Sequence, residues 1–181
     1  MLAVDMDRCY NEIQQRKLHG VTIMENCVVR YAEEKDLSRI LYFIKELAKY
    51  ENMSDDVVAT EEILREWIFE KKKAEVLFAL EGETEVGIAI FFHNFSTFLG
   101  RAGIYLEDLY VEPAFRGKGY GKALLKKLAR IAVERGCGRL EWSCLDWNKP
   151  SIDFYLSLGA KAMDEWTVYR MAGDTLKQFA E

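Results

Sequence analysis

Between Arg116 and Lys122 the chain reads RGKGYGK, three glycines on alternate positions set among three cationic side chains, and it runs directly into ALLKKLARIAVERG. Glycines let a backbone curl so that successive N–H groups point into one concavity, and the N-terminus of a following helix adds positive potential there. A pyrophosphate fits such a site. The plainer alternative is a tight turn into a helix, but three alternating glycines flanked by Arg116, Lys118 and Lys122 favour the anion. Two phosphate motifs are excluded by spacing. A P-loop requires G-x-x-x-x-G-K-[ST], whereas Gly117 and Gly121 stand one residue too close and Ala123 replaces the hydroxyl. A dinucleotide fingerprint requires G-x-G-x-x-G, and this stretch is G-x-G-x-G.

Two further clusters can carry chemistry. YLEDLYV, Tyr105 to Val111, places Glu107 and Asp108 side by side in an apolar strand. Strand alternation puts Glu107 on the face of Tyr105 and Leu109 and turns Asp108 the other way. Carboxylates are costly to bury unpaired, so at least one must be solvated, paired or working. An edge-strand acid on a solvated surface is the plain alternative. In WNKPSIDFY, Ser151 and Tyr155 are four residues apart and share a helix face. Pro150 suits the first helical turn and pushes Lys149 out of the helix, which leaves the Asn148 amide available just upstream. By itself, a tyrosine at this spacing fits a core and an asparagine fits a turn.

These residues need elements to hold them. EKDLSRILYFIKELAKY carries Leu37, Ile40, Leu41, Ile44, Leu47 and Ala48 on one helical stripe, with Asp36 near its N-cap. A second helix is expected from Thr60 to the run Lys71, Lys72 and Lys73, whose charges suit a helix C-terminus. AEVLFALEG and EVGIAIFFHNF read as a hairpin turning at Gly82 to Thr84, and GIYLEDLYV is the next strand. The arch then opens an amphipathic helix with Leu124, Leu125, Leu128, Ile131 and Ala132 inward, which Gly136 and Gly138 end. RLEWSCLDW is a strand, PSIDFYLSLG a short helix and WTVYRMA a closing strand. The order is α+β, with one strand–arch–helix–strand crossover that must be right-handed and join parallel strands.

Composition bounds the function. The chain of 181 residues is half apolar and closes one sizeable core, so one domain is expected over 24–181. Residues 1–23 are weakly patterned and stand apart as an appendage, with two expectations: they form a short extra helix, or translation begins at Met24. A net charge of −5 argues against nucleic acid and suits a small cationic partner. Four cysteines without a C-x-x-C pair and two distant histidines give no metal site. Cys144 suits an acyl-accepting nucleophile or, more commonly, a small buried hydrophobe. No apolar run is long enough to span a bilayer, so no membrane partner and a cytoplasmic location are expected.

Four stretches carry a resemblance. R-G-x-G-x-G opening a helix directly after a D-L-Y-V strand resembles the acetyl-CoA core of the GCN5-related N-acetyltransferase (GNAT) superfamily. FIKELAKYE, YLEDLYV and WNKPSIDFY resemble its spermidine/spermine (diamine) branch. The match covers about Cys27 to Phe179. It implies a mixed central sheet with splayed strands flanked by helices, a homodimer, acetyl-CoA as cosubstrate and a small cationic amine, either a diamine, a polyamine or a lysine-like amino acid, as acceptor.

Acyl transfer from a thioester to an amine needs a base for an ammonium of pKa about 10 and an acid for the departing thiolate. The resemblance assigns Glu107 to the first task, through water, and Tyr155 to the second. It implies cofactor contacts from the backbone of Leu109, Tyr110 and Val111, from Arg116, Gly117, Lys118, Gly119, Tyr120, Gly121 and Lys122, and from Asn148 and Ser151. Tyr50, Glu51, Glu107, Asp108 and Phe98 are implied for the amine. The animal diamine enzymes carry aspartate-proline-tryptophan where this chain has Ser96, Thr97 and Phe98, so the long-polyamine preference is expected to weaken. A protein lysine or N-terminal acetyltransferase, or a non-catalytic acetyl-CoA-binding regulator, is the alternative.

Overall fold

The computed structural model describes residues 27–181, so the appendage 1–23 and Met24 lie outside the described residues. The chain divides into two compact units after Ser143.

The first unit is built on a five-stranded sheet. Its strands are β1 (Cys27–Tyr31), β2 (Glu75–Glu81), β3 (Thr84–Ser96), β4 (Arg101–Val111) and β5 (Leu140–Trp142), in the order β1-β2-β3-β4-β5. All neighbours are antiparallel except β4 and β5, which are parallel as the crossover required. Helix α1 (Leu37–Tyr50) covers one face, where Ile40 and Phe43 pack with Phe78, Ile88, Ile90 and Tyr110. The expected stripe omitted Phe43, yet its ring is fully buried, 5.8 Å from Phe78 and 6.2 Å from Tyr110. It lies three residues beyond Ile40 and so falls on the same face. The helix that leaves the arch, α3 (Tyr120–Glu134), covers the other face with Leu124, Leu128 and Ile131 buried.

Helix α2 (Glu61–Leu64) starts where Thr60 Oγ1 accepts the Ile63 N–H at 3.3 Å. It continues as a π-helical turn, Arg65–Glu70, which periodicity did not announce. Asp36 caps α1 by position only, because its carboxylate is taken by the Arg30 guanidinium at 2.6 Å and by the Glu33 N–H at 2.8 Å. Arg39 ties α1 to the end of β4 through Glu112 at 2.8 Å and lies over the Tyr42 and Phe43 rings. These contacts fix where α1 ends relative to β4, and both ends belong to the candidate site.

The second unit holds α4 (Lys149–Ser157) and α5 (Gly173–Phe179). Lys149 is inside α4, not excluded from it, because at the first helical position the residue before proline needs no intrahelical donor. The expected strand over 166–172 is absent. Trp166, Val168 and Tyr169 are exposed there, and no ladder partner meets them among the described residues. A strand-like pattern without a neighbouring edge has nothing to bond its backbone. No helix of the described residues is long and apolar enough to cross a membrane.

Candidate active site

The arch leaves β4 through a 3-10 turn, Pro113–Phe115, and reaches α3 with Gly117 at φ 76° and Gly119 at φ 91°. Gly119 is the N-cap, and no side chain caps the helix. The first N–H groups of α3 are thus left without a side-chain acceptor at its positive end, the chemistry an anion requires. No heavy atom lies within 4 Å of where a Cβ would stand on Gly117. The requirement for glycine there is therefore conformational rather than spatial.

The arch cations, alike in the sequence, differ in the structure. Lys118 Nζ lies 3.3 Å from Glu81, and the buried Tyr120 donates its hydroxyl to the same carboxylate at 2.8 Å. Burial, and then Glu81, push the Tyr120 hydroxyl up to about 12. Arg116 Nε donates to the Val111 carbonyl at 2.9 Å, and its guanidinium lies 4.7 Å from the Tyr50 ring centre and 5.4 Å from that of Tyr110. Lys122 makes no ion pair among the described residues.

Along β4 the parallel ladder to β5 joins only Ile104, Tyr105 and Leu106 to Leu140, Glu141 and Trp142. Beyond it, residues Glu107 to Val111 have no β5 residue opposite among the described residues, and of their backbone groups the Val111 carbonyl is taken by Arg116. Tyr110 sends its ring into the core, which confines its direct contribution there to the main chain. This agrees with the expected splay, and the missing ladder is the kind of edge that amide groups of an extended ligand can fill.

The acids depart from the expected alternation. Ile90 pairs with Asp108 and Phe91 with Leu106, so Glu107 is the extra residue of a β-bulge. Phe91 and Leu106 face α3, whereas Ile90, Phe92 and Tyr105 face the α1 side. The bulge therefore turns Asp108 onto the face of Tyr105 and Tyr110, and the expectation that Asp108 points away from Tyr105 fails. Glu107 is exposed, while Asp108 is part-buried. Burial first, then the charges of Glu107 and Glu51, push the Asp108 carboxyl up to about 6. Glu51, the C-cap of α1, is raised by burial. None of the three acids makes a side-chain hydrogen bond or ion pair among the described residues.

Phe98 does not join them. It sits 96% exposed at the β3–β4 turn, and the ladder from Ile90 to Ser96 separates it from Asp108 by about 20 Å at the usual strand rise. Ser96 is buried, and its hydroxyl accepts the Leu99 N–H at 3.2 Å, so it shapes the turn. One hydroxyl pair was not foreseen: Tyr105 and Ser143 meet at 2.7 Å, with the Tyr105 ring 5.3 Å from Phe92. Cross-strand register brings them together, and no local motif announces it.

In the second unit Asn148 is buried, and its side-chain oxygen accepts the Ser151 N–H at 3.4 Å. That oxygen caps α4, a use that the expected cofactor contact left out. Ser151 and Tyr155 lie one turn apart, and the Tyr155 ring stands 5.4 Å from Phe154.

A model of the acetyltransferase (GNAT) family matches residues 41–160. A thialysine N-epsilon-acetyltransferase of Bos taurus is 39% identical over 165 residues, covering 84% of this chain and 96% of that protein. The spermidine/spermine N(1)-acetyltransferase-like protein 1 of Homo sapiens is 32% identical over 170 residues, 88% of this chain and 24% of that protein. Among solved structures, an integron cassette protein from the mobile metagenome of V. cholerae superposes with a TM-score of 0.73 at 28% identity, covering 86% of this chain and 98% of its own.

Proposed function

The chain belongs to the acetyltransferase (GNAT) family, and on that premise we propose that this acetyl-CoA-dependent N-acetyltransferase acts on the primary amine of a small cationic acceptor, a lysine-like amino acid or a diamine. One observation carries the reading: Glu51, Glu107 and Asp108 gather at the end of α1 and the bulge of β4, and among the described residues none of them has an ion-pair partner. Unmatched carboxylates at a part-buried site attract an ammonium. Similarity to a protein named for thialysine supports an acceptor with the reach of a lysine side chain.

Acetyl-CoA supplies an acetyl group already activated as a thioester. The residues of the arch, from Arg116 to Lys122, hold its diphosphate at the N-terminus of α3. The main chain of Leu109, Tyr110 and Val111 holds the pantetheine arm, with Asn148 and Ser151 as further contacts. The resemblance gives the proton of the ammonium to Glu107, acting through water, with Asp108 as a further contact of the amine, and gives the departing thiolate a proton from the Tyr155 hydroxyl. Tyr50 and Glu51 line the amine's approach. Phe98, exposed at the β3–β4 turn, is given no part in this reading. A homodimer and a cytoplasmic location belong to the same reading.

The test is kcat/KM for thialysine, putrescine, spermidine, spermine and a lysine peptide at one pH and ionic strength. Thialysine or the diamine should rival spermidine within about tenfold, since one absent charge-assisted hydrogen bond is worth about 1.5–3 kcal/mol. A spermidine preference above about a hundredfold over all others, equivalent to ~2.7 kcal/mol, overturns the acceptor assignment. A preference for the peptide overturns the small-amine reading itself.

A further inference from the structure

We propose that Asp108, rather than the exposed Glu107 beside it, accepts the ammonium proton directly, while Glu51 and Glu107 draw the cation in. The proposal rests on the amine-acetylation reading above and assigns a step within it.

The bulge is the structural reason. By inserting Glu107 as an unpaired residue, it leaves that side chain in solvent and swings Asp108 onto the α1 face, beside Tyr110 and toward the end of the helix that carries Tyr50 and Glu51. Among the described residues of the first unit, few groups face Asp108. Its own strand supplies Glu107, Tyr105 and Tyr110, and the end of α1 supplies Tyr50 and Glu51. The arch supplies Arg116, which lies against the two rings and the Val111 carbonyl. The β3 residues on this face, Ile90 and Phe92, do not ionise. Asp108 therefore has two acidic neighbours and no hydrogen bond or ion pair of its own among the described residues.

Chemistry favours such a group. Proton transfer from an ammonium near ~10.4 to a carboxyl near ~3.9 is uphill by more than six pH units. A carboxyl held at about 6 narrows the gap by roughly two, about a hundredfold more free amine. The ranking of causes matters as much as the size. Charges on Glu107 and Glu51 raise the carboxyl and the ammonium together and leave their difference little changed. Burial, the larger cause, raises the carboxyl while lowering the ammonium, so it moves donor and acceptor toward each other.

The step balances without an added reactant. One N–H bond of the ammonium breaks, its electron pair stays on nitrogen, and an O–H bond forms on Asp108. The freed nitrogen forms the C–N bond as the C–S bond of acetyl-CoA breaks. The nitrogen sheds its second proton to solvent, the thiolate takes one from Tyr155, and solvent restores the tyrosine and deprotonates Asp108.

The experiment compares full-length wild type with Asp108→Asn, Asp108→Glu and Glu107→Gln, using acetyl-CoA and thialysine from pH 5 to 9, with acetyl-CoA binding measured by calorimetry in each. Wild type should show an acidic limb in kcat/KM near pH 6. Asp108→Asn should lower kcat/KM by about a hundred- to ten-thousandfold, abolish that limb and keep acetyl-CoA affinity. Asp108→Glu should restore part of the rate and the limb. Glu107→Gln should keep the limb with a loss of about tenfold or less. A limb that survives in Asp108→Asn, or disappears in Glu107→Gln, overturns the proposal. Wild type that binds acetyl-CoA but acetylates none of the amines defeats the underlying reading, and the proposal with it.

Discussion

Replacing Asp108 by asparagine should make the protein more stable at neutral pH while it damages catalysis. The carboxyl is held at about 6 in the folded protein, against 3.8 for the unperturbed group. Because the folded value is raised, the folded state keeps a proton that the unfolded chain has already released, and stability falls as pH rises between the two values. Below about 3.8 Asp108 contributes no such penalty, and above about 6 the penalty is constant. Two pH units at about 1.4 kcal/mol each set an upper bound of ~3 kcal/mol, and partial access to water brings the expectation to ~1–3 kcal/mol. Asparagine keeps the shape and removes the charge. Urea unfolding of wild type and Asp108→Asn at pH 8 should therefore differ by ~1–3 kcal/mol in favour of the variant, with about half that gain at pH 5. An equal gain at both pH values, or none at pH 8, would refute the argument that burial holds this carboxyl up.

Three other outcomes follow from the same geometry. Gly119→Val, which forces a β-branched residue into φ 91° at the N-cap of α3, should weaken acetyl-CoA binding by at least tenfold in calorimetry on folded protein, and unchanged affinity would remove the arch from the cofactor site. Tyr155→Phe should lower kcat by about ten- to a thousandfold with acetyl-CoA affinity little altered; full turnover with chemistry rate-limiting would make Tyr155 a packing residue. Asn148→Ala should cost about 1 kcal/mol in thermal or urea unfolding through loss of the α4 cap, whereas a change in acetyl-CoA affinity alone would show that the side chain serves the cofactor more than the helix.

The arch, the strand before it and the amphipathic helix after it were legible because each is a local pattern: glycines where φ turns positive, alternation in a strand, and a period of 3.6 in a helix. The parallel pairing of β4 and β5 followed from the crossover rule without any contact being known. Acetyl transfer was legible only through the resemblance that the arch and its flanking motifs carry to a known family, while the residues by themselves gave an anion site. Other features needed the tertiary structure. Pattern alone made a strand of 166–172, but a strand exists only where another edge bonds it. Arg116, Lys118 and Lys122 read alike as a string, and only distant partners, Tyr50, Tyr110 and Glu81, separate their roles. The acid pair shows the limit most clearly. A period of two determines the face of every residue in a regular strand, and one bulge, set by register against β3, reverses that parity from Asp108 onward. Register is a property of two strands packed between α1 and α3, so neither strand's sequence contains it alone.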